Sequence, residues 1–134
     1  MRLRTKAREV ALQYLYQVDI TKRHTEETLE AFITHFVKGR DAIRYAQELI
    51  NGVYAHLEKI DELIDKASEN WPVRRMSKTD RNILRISTYE LTFNPDVPYR
   101  VAINEGIELA KRFGSPKSPA FVNGVLDRIR IDGR

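Results

Sequence analysis

The stretch Ala42-Ile43-Arg44-Tyr45-Ala46-Gln47-Glu48-Leu49-Ile50-Asn51-Gly52-Val53-Tyr54-Ala55-His56-Leu57 places apolar residues at 42, 45, 46, 49, 50, 53, 54 and 57. This is the i, i+3, i+4, i+7 series of an α-helix with one buried stripe, kept without a break to Leu57. Upstream, Ala7, Val10, Ala11, Tyr14, Leu15 and Val18 follow the same series, and Leu29, Phe32, Ile33 and Phe36 place a second helix over Glu26 to Val37, ahead of Gly39. Downstream, Ile60, Leu63, Ile64 and Ala67 predict a short helix with an acidic outer face. Trp71-Pro72 interrupts the periodicity, and Val73 to Lys78 is basic and aperiodic, as a connection would be. Ser77-Lys78-Thr79-Asp80 then reads as a capping box, followed by a helix lined by Ile83, Leu84, Ser87 and Leu91. Asn94-Pro95-Asp96 ends that helix, and the next runs from Val101 to Phe113 with Gly114 just beyond it. A final helix has Ser118 as N-cap, Pro119 at its first position, and Phe121, Val122, Val125, Leu126 and Ile129 on its apolar side. Nothing reads as a strand. The expected fold class is all-α, about seven helices in two small helical bundles packed as one compact domain, with subdomains of about 1–71 and 72–134.

The chain has 134 residues, 42% hydrophobic and 31% charged, a length at which about two-thirds of the unfolded surface is buried on folding. Six glycines and five prolines argue against collagen-like or low-complexity sequence. No apolar run approaches the roughly 20 residues that span a bilayer, and Met-Arg-Leu-Arg-Thr-Lys is not a signal core, so a cytoplasmic protein is expected. The absence of cysteine excludes disulfides, thiolate catalysis and iron–sulfur clusters built from this chain.

Catalytic constellations are not evident. His24, His35 and His56 stand singly, without the i, i+4 pairing of a helical metal site, and read as surface or cap residues. The acids Glu26, Glu27 and Glu30, and again Glu58, Asp61, Glu62, Asp65 and Glu69, have the spacing of solvated helix faces. Gly106 and Gly124 sit inside helical patterns and read as sites of close packing. No enzyme, metal or cofactor is therefore expected.

The basic residues are more informative, the formal net charge being +4. Arg2, Arg4, Lys6 and Arg8 form a cationic arm with no acid among them. A second cluster, Arg74, Arg75, Lys78, Arg81 and Arg85, is opposed in sequence only by Asp80, and a third comprises Lys111, Arg112 and Lys117 around Phe113. Cations bind phosphates by releasing counterions, and unpaired bases stack on accessible rings, a combination suited to single-stranded nucleic acid. Tyr14 and Phe121 lie on apolar stripes and read as core. Tyr16 lies off its stripe and Phe113 at a helix end, so both rings read as accessible.

Three separated blocks carry a family resemblance. They are Ala7-Arg8-Glu9-Val10-Ala11-Leu12-Gln13-Tyr14-Leu15-Tyr16-Gln17, then Asp80-Arg81-Asn82-Ile83-Leu84-Arg85-Ile86 with Tyr89-Glu90-Leu91, and finally Val97-Pro98-Tyr99-Arg100-Val101-Ala102-Ile103-Asn104-Glu105 with Phe121-Val122-Asn123-Gly124-Val125-Leu126-Asp127. In order and spacing they resemble the NusB family of bacterial transcription antitermination factors, over all but Thr21 to Arg40. The resemblance implies a non-catalytic, all-helical protein that binds boxA, a single-stranded element of ribosomal RNA leaders. It does so together with NusE, a small-subunit ribosomal protein, and joins an RNA polymerase complex with other Nus factors. It maps the RNA surface onto Arg2, Arg4, Lys6 and Arg8 and onto the loop from Phe113 to Phe121, drawing in Asn123, and the NusE surface onto Tyr16 and Asp80.

The arm alternates basic residues with Leu, Thr and Ala and is less dense than some family arms. The loop Ser115-Pro116-Lys117-Ser118-Pro119 carries Lys117 where acidic residues are common in relatives, so Lys117 is expected to add a phosphate contact while the prolines stiffen the loop. Two other readings stay open. One is the helical RNA-binding region of an rRNA cytosine methyltransferase, which would need a cofactor domain and a cysteine nucleophile. The other is a protein-binding helical adaptor whose charge is incidental. A partner surface left vacant without NusE can also support a homodimer.

Overall fold

In a computed structural model describing residues 2–69 and 71–133, the apolar periods become α1 (Arg2–Thr21), α2 (Glu26–Phe36), α3 (Arg40–Ala55), α4 (Leu57–Ala67), α5 (Lys78–Phe93), α6 (Tyr99–Phe113) and α7 (Ser118–Asp132). A single 3₁₀ turn, Val73–Arg75, joins α4 to α5, and there is no strand among the described residues. One hydrophobic cluster runs from Ala7 to Ile129 through all seven helices. α1 packs on α3 and α5, α6 on α5 and α7, and α4 lies against α5 and α7.

The main departure from the periodicity is α5. A stripe of Ile83, Leu84, Ser87 and Leu91 predicts a helix with one dry face. Instead Asn82, Ile83, Leu84, Ile86, Ser87, Thr88, Tyr89 and Glu90 are all buried, because α1, α3, α4, α6 and α7 pack around it. Where helices pack on several sides, the polar residues of the buried stretch must be satisfied internally. Gly106 of α6 is matched to Ser87: a Cβ at 106 would lie 2.5 Å from Ser87 Oγ and 3.0 Å from Leu126 Cδ1. Gly52 of α3 is matched to Tyr89, whose ring a Cβ would overlap. Gly124, by contrast, faces open space, so it marks bare surface backbone and not close packing.

Helix ends show four further differences. The run from Ala42 does not continue through Leu57: His56 (φ −119°, ψ 20°) closes α3 and opens α4, and its ring stacks on Phe93 at 4.0 Å, tying the corner to the end of α5. α7 starts at Ser118, so Pro119 is its second residue. The Ser118 hydroxyl accepts from the Ser115 amide at 2.9 Å and braces the preceding loop. At Ser77 only one arm of the capping box is seen, the hydroxyl accepting from the Asp80 amide at 3.1 Å. A reciprocal box occurs where none was read, between Thr25 and Thr28 at the start of α2.

Candidate nucleic-acid interface

The cationic arm is the first turns of α1, and its members have different fates. Arg4 and Lys6 are exposed, whereas the Arg2 side chain lies outside the described residues. Arg8 must be withdrawn from the accessible arm, being 1% exposed. Its Nε donates to both carboxylate oxygens of Glu90 at 2.9 and 3.0 Å, and its Nη1 donates to Glu105 at 3.1 Å. The Tyr45 hydroxyl donates to the same Glu90 carboxylate, and Thr5 donates to Glu105 at 2.9 Å. Burial works against the Arg8 charge, but the hydrogen bond and charge of Glu90 outweigh it and raise its pKa. Burial also raises the Tyr45 hydroxyl, reinforced by Glu90. Arg8 is therefore a strut between α1, α5 and α6, closing a buried network that tolerates no missing partner.

That strut, with Arg112 donating to Glu9 at 2.8 Å, lays the start of α1 across α6. A surface cavity of about 290 Å³ between them is lined by Thr5, Glu9, Glu105, Glu108, Lys111 and Arg112. The helix that carries the arm and the helix end that carries Lys111 and Arg112 thus meet at one edge, with Glu9, Glu105 and Glu108 set among the cations. Lys111 and Arg112 stand in the last turn of α6, where cations complement the helix dipole. Lys111 pairs with Glu108 at 3.2 Å, both ends exposed, an interaction that water and salt readily replace. Lys117 is exposed in the following loop, and Asn123 and Gly124 are exposed on α7. Phe113 and Phe121 are half-buried and pack on the core, so each offers an edge and not a free face.

Tyr16 is 41% exposed. With Leu12, Gln13, Thr79 and Phe113 it lines a groove of about 230 Å³ between α1, the start of α5 and the end of α6. Tyr16 and Phe113, assigned from sequence to separate surfaces, therefore meet in one groove. Next to Thr79, Asp80 is half-buried, and its Oδ1 has no hydrogen-bond partner among the described residues. The second basic cluster is smaller than its sequence suggests. Arg81 donates to Asp19 at 2.8 Å and Arg85 grips Asp61 through two bonds of 2.9 and 2.8 Å. Burial pushes the Asp19 carboxyl up, but bonds from Arg81 and Asn82 bring it below its ordinary value. Asp61 and Asp65, read as solvated, are engaged, the latter accepting from the Val73 amide at 2.6 Å. Sequence reading missed Gln13, Thr79 and the acids Glu9 and Glu90, whose partners lie too far along the chain for any local pattern to reveal.

No helix of the described residues is long and apolar enough to cross a membrane, and no group of three His, Asp or Glu among them is placed to hold a metal ion. The fold is that of a small all-helical protein with a basic edge beside an apolar groove. The NusB family model matches residues 5–130. The transcription antitermination protein NusB of Myxococcus xanthus is 44% identical, over 98% of this chain and 96% of its own. NusB of T. maritima superposes with a TM-score of 0.86 at 37% identity, covering 96% of this chain and 91% of that one. A structure of antitermination factors NusB and NusE in complex with dsRNA matches with a TM-score of 0.88 at 30% identity, covering 98% of each chain. The chain belongs to the NusB family.

Proposed function

We propose that this chain binds boxA-type single-stranded RNA of ribosomal RNA leaders together with NusE, joins an RNA polymerase antitermination complex, and catalyses no reaction itself. One observation carries the reading: the first turns of α1, which bear the exposed Arg4 and Lys6, lie against the end of α6, which bears Lys111, and this edge adjoins the Tyr16–Phe113 groove. Arg4, Lys6, Lys111 and Lys117 neutralise phosphates, with Arg2 continuing the arm. Asn123 offers its amide to a base edge, and the exposed rims of Phe113 and Phe121 contact bases. Tyr16 fills a pocket on NusE, and Asp80, next in sequence to Thr79 of the groove, adds its carboxylate to the same contact.

Because groove and basic edge adjoin, a bound NusE extends the surface on which RNA lies, and the two ligands tighten each other's binding reciprocally. Fluorescence anisotropy with boxA RNA, with and without NusE, tests this. The reading predicts weak binding alone and at least several-fold tighter binding with NusE, in preference to a scrambled strand. Equal constants with and without NusE contradict the coupling. Equal binding of boxA and scrambled RNA favours the protein adaptor, and preference for a duplex over the single strand contradicts the proposed contacts. Sedimentation without NusE reports whether the vacant groove pairs two copies.

A further inference from the structure

We propose that Trp71, Arg74, Arg75 and Lys78 form a second contact for single-stranded RNA, apart from the basic edge, that engages nucleotides flanking the element bound there. The inference rests on the RNA-binding reading above and extends its track.

Trp71 is the only tryptophan of the chain and is 47% exposed. Its backbone is fixed, the Ser68 hydroxyl donating to its carbonyl at 2.7 Å and its own amide donating to Ser68 at 3.2 Å. The following 3₁₀ turn buries Val73 and Met76 and turns Arg74 and Arg75 outward. Arg75 lies over the indole with its guanidinium carbon 5.6 Å from the ring centroid. Arg74, Arg75 and Lys78 have no ion pair among the described residues, whereas Arg81 and Arg85 of the same cluster are taken up by acids. Of the nearby carboxylates, Asp61 is held by Arg85 and Asp65 by the Val73 amide, while Glu69 and Glu62 form exposed pairs with Arg128 at 3.5 Å and Lys59 at 3.6 Å.

An exposed ring on a fixed backbone, beside three cations that hold no ion pair among the described residues, matches a ligand with flat bases and regular phosphates. An acidic peptide would satisfy the cations and leave the ring idle, and an apolar partner would do the reverse. The position suits a continuing strand. Gly124 and Arg128 are one turn apart on the exposed side of α7, and Arg128 reaches Glu69, two residues before Trp71. A strand passing Asn123 and Gly124 can therefore follow α7 to the indole.

The single tryptophan makes the test direct. The complex of the chain with NusE is titrated with boxA RNA and with the same RNA extended by uridines at either end, following tryptophan fluorescence from this chain and anisotropy from the RNA. One extension is expected to quench Trp71 and tighten binding roughly fivefold or more. Trp71→Leu and the triple variant Arg74→Ala/Arg75→Ala/Lys78→Ala are expected to abolish that gain while leaving the affinity for boxA alone and the thermal midpoint unchanged. The triple variant should also lower the salt slope for the extended RNA by about 2. If boxA binds but neither extension quenches Trp71 or tightens binding, this proposal fails and the functional reading survives. If boxA itself is not bound, both fail. Quenching by polyglutamate and not by the extended RNA overturns the proposal in favour of an acidic protein partner.

Discussion

Arg4 and Arg8 stand one helical turn apart on α1 and both lie over the Tyr45 ring, at 4.3 and 5.7 Å from its centroid. Arg4 is exposed, whereas Arg8 is sealed against Glu90 and Glu105. In sequence the two are equivalent members of one basic run. What separates them is the presence of acids on α5 and α6 that only the fold brings to α1. One cation remains available to a polyanion and the other holds the helix that carries it.

The most severe way to break this comparison is Arg8→Met. It leaves Glu90 charged and enclosed, and the expected loss is about 3–5 kcal/mol, read from the urea midpoint. Adding Glu90→Leu should recover part of that loss, because two apolar side chains leave no buried charge unmatched; no recovery would mean that Arg8 contributes by packing alone. Gly52→Ala tests the other tight joint of the interior. Its new Cβ meets the Tyr89 ring, and a destabilisation of about 1–3 kcal/mol is expected by calorimetry.

A third expectation concerns pH. Burial lowers the pKa of His24 from 6.5, and its Nδ1 lies 2.7 Å from the Tyr14 hydroxyl, which a neutral ring accepts from and a protonated one cannot. Below 6.5 the unfolded chain binds this proton more readily than the folded one, so stability falls as pH drops through 6.5 towards the folded value. His24→Gln should flatten that limb of the urea-midpoint profile, and an unchanged limb would remove His24 from the account. The smallest expected effect is that of Arg4→Ala, a stability change within about 0.5 kcal/mol, with the salt slope of RNA affinity falling by about 0.7. A stability loss like that of Arg8→Met would erase the distinction between the two.

The helices were largely legible because most of them keep one dry face, and the stripe that buries Leu49, Ile50 and Val53 is the same stripe that the sequence displays. The reading faltered where burial is not one-sided, as at α5 and at residues 7–12 of α1, and where a corner depends on a distant ring, as His56 depends on Phe93. For the site, the exposed positions of Arg4, Lys6, Lys111 and Lys117 agree with a count of local charge. Local charge could not show that Arg8, Arg81 and Arg85 are committed to acids at 90, 19 and 61. Nor could periodicity show that Phe113 shares a groove with Tyr16, since that groove exists only where α1, α5 and α6 converge.

The division of α1 into a buried strut and an exposed contact is tested most directly by the salt dependence of boxA affinity, in the presence of NusE, for Arg4→Ala/Lys6→Ala/Lys111→Ala/Lys117→Ala. The slope is predicted to fall by about 3, as four single-strand phosphate contacts are lost, with the thermal midpoint held. An unchanged slope in a folded variant would contradict the account.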